Sequence, residues 1–412
     1  MKFAHLADCH VGGWRDPLLT ELSIEAFEKA LSLILKEGVD FIIIAGDLFN
    51  TSLPALDTLK IVTKKLKELK DKNIPLYIIA GSHDFSPSGK TMIDVLENAG
   101  LLKNVCKGTI NPDTQQLHLT FTIDQKTGAK LTGVLGRKGQ LDQRYYHSLN
   151  LESLEQESGY KIFCFHTTIT EMLPTHLDKI ESQSVSSFPK RFNYYAGGHI
   201  HHPIQINPPQ YGPFTYPGAL FPNNFSEVER YSHGGYNLIT TDQTTQNIQW
   251  IPVKLMNHIS QVLDCSNKSP DIITFDIIHY WETQEVQDSI ITIRLKGNLQ
   301  RGRTSDINFK EIIDFLYKKG AYFVMKNTFQ LFSEEFEEIK ISESSSPESM
   351  EEQIIQEHLQ QITLFDKETE LQLTKILLSA LNTSKKEGET VTDFQKRVEI
   401  EMNQIFFNQQ KN

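Results

Sequence analysis

The chain has 412 residues, 39% of them hydrophobic and 23% charged, which is enough for two to four domains that each bury a core. The formal charge of −11 is uneven: 17 of the 52 acidic and 8 of the 41 basic residues lie in 333–412, which leaves the rest at −2, so a polyanionic ligand is not excluded. Four scattered cysteines without C-x-x-C spacing exclude a zinc knuckle and a disulfide framework, and with no signal-peptide pattern or membrane-length apolar run the expectation is a cytoplasmic chain without membrane contact.

Phe3–Ala7 reads as a first strand. Ile24, Phe27, Leu31, Ile34 and Leu35 then recur at helical spacing. Phe41–Ala45 is short, apolar and β-branched, as expected of a strand buried on both faces. Leu56, Leu59, Val62, Leu66 and Leu69 predict a second helix, and Leu76–Ala80 a third strand. This β-α-β-α-β rhythm implies an α/β sheet core. Later strands are expected at Lys161–Phe165 and Asn193–Ala196. From about Tyr236 the pattern changes to a smaller α+β unit, with a strand at Ile290–Leu295 and a helix at Phe309–Lys319. Ser333–Ser349 is rich in Glu and Ser and reads as a linker. Three apolar stripes follow at helical spacing: Met350, Ile354, Leu359 and Ile362; Leu371, Thr374, Leu378 and Leu381; and Val391, Phe394, Val398, Met402 and Ile405. The expected domains are therefore 1–235, 236–332, a linker 333–349 and a helical tail 350–412.

Polar residues of interest sit just past the carboxyl ends of the apolar strands, the edge where ligands bind in open α/β sheets. Five short motifs stand out: Asp8-Cys9-His10, Gly46-Asp47, Gly81-Ser82-His83-Asp84, Phe165-His166 and Gly198-His199-Ile200-His201. Residues two apart on an extended segment point the same way, so Asp8 with His10, and His199 with His201, are expected to face one centre. Carboxylate plus imidazole suits Mn²⁺, Fe²⁺ or Zn²⁺ better than Ca²⁺. Alone, an Asp-x-His is more often a turn with a surface histidine, and a His-x-His a strand with one exposed ring. Five in this order, each at a strand end, point to a metal centre.

With these motifs the chain resembles the calcineurin-like metallophosphoesterases, whose signature runs D-x-H, GD, GNH[DE], H, GH-x-H. It is more closely similar to the SbcD-type repair nucleases, known in archaea and eukaryotes as the meiotic recombination eleven nuclease. Met1–Gly12, Gly46–Phe49 and Tyr216-Pro217-Gly218-Ala219 carry that likeness. It is strong over 1–225, moderate over the small unit and only architectural over the tail. The resemblance implies an α/β fold, the calcineurin-like metallophosphoesterase sandwich, with a smaller α+β capping domain and a helical C-terminal tail. It implies two Mn²⁺ ions: Asp8, His10 and His201 on the first, His166 and His199 on the second, and Asp47 bridging. His83 would orient the phosphate or protonate the leaving oxygen, with Asp84 steering its imidazole. The implied activity is a DNA nuclease of double-strand-break repair, a 3′–5′ exonuclease and single-strand endonuclease. The implied partners are DNA, a second copy of the chain, and an SbcC-type ABC ATPase gripped by the tail. Met350, Ile354, Leu359, Phe394, Val398 and Met402 are the contact residues expected there.

Two rival readings are a small-molecule or cyclic-nucleotide phosphodiesterase of the same superfamily, and a non-catalytic repair scaffold. The added α/β unit, linker and tail argue against the first. Against the second, only one signature position departs. His5 reads as a packed core histidine, and Cys9 as pointing away from the ligands beside it. Arg137 and Lys138 read either as a solvated basic loop or as a phosphate contact. The departure is Ser82, where the family usually has an Asn ligand for the second ion. Ser82→Asn restores an amide oxygen, so it is expected to tighten the second Mn²⁺. Calorimetric titration giving unchanged or weaker affinity would mean that Ser82, or a water it holds, already serves.

Overall fold

A computed structural model describes residues 1–86, 91–137, 142–172, 182–242, 245–333, 367–381, 383 and 391–409. Its strands in chain order are β1 (Lys2–Leu6), β2 (Phe41–Ala45), β3 (Leu76–Ile79), β4 (Lys103–Asn104), β5 (Gly108–Ile110), β6 (Leu117–Leu119), β7 (Thr122–Ile123), β8 (Lys130–Val134), β9 (Lys161–His166), β10 (Tyr194–Gly198), β11 (Ile204–Ile206), β12 (Phe214–Tyr216), β13 (Gly234–Thr241) and β14 (Gln246–Val253). One sheet has the order β14-β13-β1-β2-β3-β4 and a second the order β11-β12-β10-β9-β8-β7. At their centres the strands run parallel, β1 with β2 and β2 with β3, and likewise β8 with β9 and β9 with β10.

The two sheets share a core. Phe3, Phe41, Ile43, Tyr77 and Ile79 of the first meet Leu131, Ile162, Cys164, Tyr194 and Ala196 of the second, all buried. The outer face of the first sheet, with Ala4, Leu6, Ile42, Ile44 and Ile78, is covered by α1 (Pro17–Glu37) and α2 (Leu56–Asp71) through Phe27, Leu31, Ile34, Val62 and Leu66. Burial on both faces is why these strands are uninterrupted apolar runs and not alternating ones. Each fully buried Ile or Leu contributes about 1.5–3 kcal/mol. Asp16 caps α1 by accepting from the Leu18 amide, Pro17 occupies its first turn, and Gly38 ends it at φ +64°. The sandwich is the calcineurin-like fold expected, with strand bounds within a residue or two.

Two expectations change. Residue 235 lies inside β13, which pairs antiparallel with β1 over Lys2–His5, and β14 extends that sheet to Val253. The alternating, half-polar Gly234–Val253 hairpin resembles the small unit in composition, so its place is set by long-range pairing. After α3 (Met92–Asn98), α4 (Gln143–Ser148), α5 (Leu151–Gln156) and α6 (Phe225–Tyr231), the small unit has two helices where the sequence indicated one, α7 (Pro270–Glu282) and α8 (Phe309–Lys318). The run Ile272-Ile273-Thr274-Phe275 with Ile277-Ile278 is β-branched and aromatic, which hides a helix from a propensity reading. The accompanying three-stranded sheet has the order β15 (Asn257–Asp264), β16 (Ser289–Leu299), β17 (Phe323–Ser333), and α7 carries the chain from β15 to the parallel β16.

By packing, the chain divides into two compact units, Met1–Asp264 with Thr274–Lys296 and Asn308–Gln330, and Cys265–Ile273 with Gly297–Ile307 and Leu331–Asn412. Within the second, helices Lys367–Leu381 and Val391–Gln409 pack on each other. Phe394, Val398 and Met402 lie half-buried there, whereas Met350, Ile354 and Leu359 fall outside the described residues. Among the described residues no helix is long and apolar enough to cross a membrane.

Candidate metal centre

The carboxyl ends of β1, β2 and β9 and the segments after β3 and β10 converge. Among the described residues three triads each bring their ligand atoms within 4.8 Å: Asp8, His10 and His201; His10, Asp47 and His83; and Asp8, Asp47 and His166. His166 Nε2 lies 3.3 Å from Asp47 Oδ2 and 3.9 Å from Asp8 Oδ1. His201 Nε2 lies 3.9 Å from Asp8 Oδ1, and His10 Nε2 3.8 Å from Asp47 Oδ2. Asp8, His10, Asp47 and His166 are each at most 2% exposed.

The backbone sets this geometry. Asp8, His10 and Asp47 adopt left-handed φ of +48°, +41° and +51°, and His199 has φ +92°. The segments are therefore not extended, and alternation does not hold for Asp8/His10 or for His199/His201. Tight turns at the strand ends aim the side chains. The Asp8 amide donates to Gly46 O, and the His10 amide to Asp47 O. The Asp8 carboxylate accepts from the His199 amide through both oxygens, at 3.0 and 2.9 Å. Two glycines are required by space. A Cβ on Gly46 would lie 2.2 Å from His166 Nδ1, and one on Gly81 2.2 Å from Asp47 Oδ1.

Three imidazoles are fixed by their other nitrogen. A carbonyl only accepts, so the His166 Nδ1 bonded to Ala45 O at 2.8 Å is the protonated one, and likewise the His83 Nδ1 bonded to Asn50 O at 2.8 Å. His201 Nδ1 meets Glu227 Oε1 at 3.0 Å. The Nε2 atoms of His166 and His201 thus carry lone pairs toward the centre when the rings are neutral. With its ring neutral, the buried His166 Nε2 has no donor facing it, and His201 Nε2 meets His10 Nε2 at 3.2 Å, a hydrogen bond when one of the two carries a proton. Imidazole Nε2 atoms crowded against one another and against two buried carboxylates fit a divalent cation.

The electrostatics agree. Burial opposes ionisation of Asp47, but the charges of His166 and His10 and hydrogen bonds from His166 and the His83 amide hold its carboxyl well below the usual range. Burial alone would lower His166, yet Asp47 and Asp8 draw it up to about 10. Burial takes His10 down to about 3, and the protein packed around the His199 ring, with the His166 charge, takes His199 to about 4 although that residue still reaches solvent. Without a metal, a proton on His166 holds the two carboxylates together.

Some expected residues behave otherwise. Asp84 does not steer His83: its carboxylate accepts from the amides of Leu48, Phe49 and Gly81 at 3.0–3.2 Å. It clamps the Asp47 loop to the His83 loop. Burial and the nearby Asp47 charge push its carboxyl up to about 7. His199 stands beside the triads with its ring 5.3 Å from that of His166, and it is exposed. Ser82 is half-buried between Gly81 and His83. Arg137 is half-buried, with its guanidinium 4.2 Å over the Phe85 ring and Nη1 donating to Tyr145 Oη at 3.1 Å. Lys138 lies outside the described residues. His5 is buried and bonded to Tyr194 Oη, and Cys9 packs in the core. Sequence reasoning missed Glu227. Its one local signal is Asn224-x-x-Glu227, a helix-capping spacing that says nothing of His201.

Comparison with known proteins bears on the same residues. The family model for calcineurin-like phosphoesterases matches residues 1–203. The chain is 29% identical over 276 residues to the DNA double-strand break repair protein Mre11 of Methanococcus maripaludis, covering 63% of this chain and 68% of that protein. It is 31% identical over 237 residues to the Mre11 of Archaeoglobus fulgidus, covering 56% of this chain and 51% of that protein. To the SbcD component of the nuclease SbcCD of Staphylococcus epidermidis it is 26% identical over 278 residues, covering 64% and 72%. The chain thus spans from about half to under three quarters of the length of these relatives. Over residues 1–203, the part of the sandwich that builds this centre, the chain matches the calcineurin-like phosphoesterase family, and it is similar to the Mre11 and SbcD repair nucleases.

Proposed function

We propose that the chain is a two-metal phosphodiesterase that hydrolyses DNA, the nuclease of a double-strand-break repair complex with an SbcC-type ABC ATPase. The observation that carries the reading is the convergence of Asp8, His10, Asp47, His83, His166 and His201 at the strand ends of one sandwich, with their donor atoms within 4.8 Å in overlapping triads. Similarity to Mre11 and SbcD proteins supports DNA as the substrate. The four scattered cysteines, without C-x-x-C spacing, suit the cytoplasm.

Asp8, His10 and His201 would hold one ion and His166 with His199 the other, with Asp47 between them and Ser82 beside the second. When bound, two divalent ions, here assigned as Mn²⁺, supply a hydroxide nucleophile at neutral pH and neutralise charge growing on the phosphate oxygens. His83 keeps its Nδ1 proton on Asn50 O, which leaves Nε2 to exchange a proton with the leaving oxygen. Asp84 is a positioning residue for the loop that carries His83. Arg137, held flat on Phe85, is read as a contact to a flanking phosphate. The tail helices are read as the ATPase grip, and a second copy as the partner within the complex.

The direct test offers duplex DNA, single strands, bis-p-nitrophenyl phosphate and cyclic AMP to the full chain with Mn²⁺. Release of nucleotides from DNA that EDTA abolishes is expected. Preference for cyclic AMP with DNA untouched would move the reading to small-molecule hydrolysis, and cleavage undiminished by EDTA would end it.

His83→Ala is expected to lower turnover by about 100-fold or more while the protein keeps most of its manganese, because His83 is assigned to the substrate. Asp47→Ala should lose both. Metal content after dialysis, measured beside activity, separates the two; equal loss of metal in both variants would make His83 a ligand.

Deleting residues 350–412 should leave manganese-dependent cleavage of short single strands intact, and abolish capture of the ATPase and ATP-stimulated cleavage of duplex ends. A segment of about 60 residues rarely builds an adequate core alone, so its apolar faces are expected to seek a partner helix. A truncated chain that captured the ATPase at full affinity would refute the tail assignment.

A further inference from the structure

The short helix α6 (Phe225–Tyr231) has two opposed duties. At about 100° per residue, Phe225, Glu229 and Ser232 fall on one face, and Glu227, two residues from either neighbour, on the other. Glu227 faces the metal centre. Its Oε1 meets His201 Nδ1 at 3.0 Å, and its Oε2 accepts from the Asn223 amide at 2.8 Å. Asn224 Nδ2 donates to Glu227 Oε1 at 2.6 Å and Asn224 Oδ1 accepts from the Glu227 amide at 3.0 Å, so the carboxylate is fixed to the start of the helix.

The opposite face is gripped by the three-stranded sheet. Arg294 on β16 binds Glu229 with a fork: Nε lies 2.9 Å from both carboxylate oxygens, and Nη2 is 2.7 Å from Oε2. The same guanidinium lies 5.1 Å from the Phe225 ring, one turn earlier. At the helix end, Ser232 Oγ bonds His258 Nδ1 on β15 at 3.2 Å, and His258 Nε2 bonds the buried Thr292 Oγ1 on β16 at 2.8 Å. Arg294 and Glu229 are both less than a fifth exposed, so solvent screens this pair less than a surface pair. A bidentate fork fixes direction as well as distance, which a lysine does not.

We infer that Arg294 is a positioning residue for the metal ligand His201, acting through α6 and Glu227. The inference rests on the metal-centre reading above. The small sheet then sets the orientation of one ligand without touching the ions. A shift of β16 along its own axis would turn or slide α6, carry Glu227 with it, and misalign His201. Carboxylates that orient a ligating imidazole are worth about 10- to 100-fold in metal affinity. A group acting at one remove is expected to cost less.

The test is calorimetric titration of the metal-stripped full chain with Mn²⁺. It compares the native protein with Glu227→Gln, Arg294→Ala, Arg294→Lys, the Glu227→Gln/Arg294→Ala double variant and Ile291→Val. Ile291 is fully buried on the same strand, so its loss of a methyl loosens the small sheet and spares the fork. Glu227→Gln should weaken one of two ions by about 10- to 100-fold and Arg294→Ala the same ion by roughly three- to tenfold. Arg294→Lys should fall between native and Arg294→Ala, the double variant should be no weaker than Glu227→Gln, and Ile291→Val should match native. Unchanged affinity in both Arg294 variants would overturn the inference, as would equal losses in Ile291→Val or additive losses in the double variant. If Glu227→Gln alone weakens binding, the metal-centre reading stands and this inference falls. If the native chain binds no Mn²⁺, both fall.

Discussion

Asp47 is 2% exposed and touches three of the segments that carry the other donors, those of His10, His83 and His166. Its carbonyl accepts from the His10 amide, its Oδ1 from the His83 amide at 2.7 Å, its Oδ2 faces His166 Nε2 at 3.3 Å, and the alpha carbon of Gly81 packs where any side chain would strike its carboxylate. Ionised in a buried place, this carboxylate is tolerable only because opposite charge surrounds it. The rest of the centre can be read as the arrangement that Asp47 requires: two imidazoles in reach of its oxygens, amides aimed at it, and a rigid loop beneath. That loop is held by Asp84, whose three amide hydrogen bonds tie Leu48 and Phe49 to Gly81.

Rigidity has a cost that the fold must offset. Left-handed backbone at Asp8, His10 and Asp47 stores of order 1 kcal/mol or more at each position. The turns survive because they end strands whose other residues are locked on both faces: Leu6 and Ile44 in the helix-covered core, Ala7 and Ala45 in the core between the sheets. A half-buried strand would let such a turn relax by sliding in register; β1 and β2 cannot slide without exposing both faces. The apolar runs that make the sandwich predictable are therefore also what hold the ligands in strained conformations.

That link explains what the sequence disclosed. Phe41–Ala45 and Lys161–His166 are legible because double burial leaves continuous apolar runs, and Asp8, His10, Asp47, His166 and His201 because they follow such runs in a fixed order. Three things were not legible. The direction of each side chain at a positive φ does not follow from strand alternation, which is why His199 was expected in the same bearing as His201. The partner of Asp84 depends on two loops meeting, and amide donors have no signature in side-chain identity. Glu227 reaches His201 from 26 residues away on a helix whose position is set by β15 and β16. Sequence patterns report local periodicity and short spacing well; contacts made between loops on different strands leave no such trace.

The strained turns and tight glycines fit a decayed, non-catalytic site poorly. Such a site gains nothing from left-handed turns at its carboxylates or from a glycine that leaves His166 room against Gly46. Left-handed backbone of this kind lowers the stability of a chain that never binds a cation, by about 1–3 kcal/mol at each position. Both become favourable once a divalent ion accepts the lone pairs and offsets the two carboxylates. The site thus keeps strained turns, space-making glycines and buried carboxylates that a divalent ion would stabilise, and departs from the family signature at Ser82.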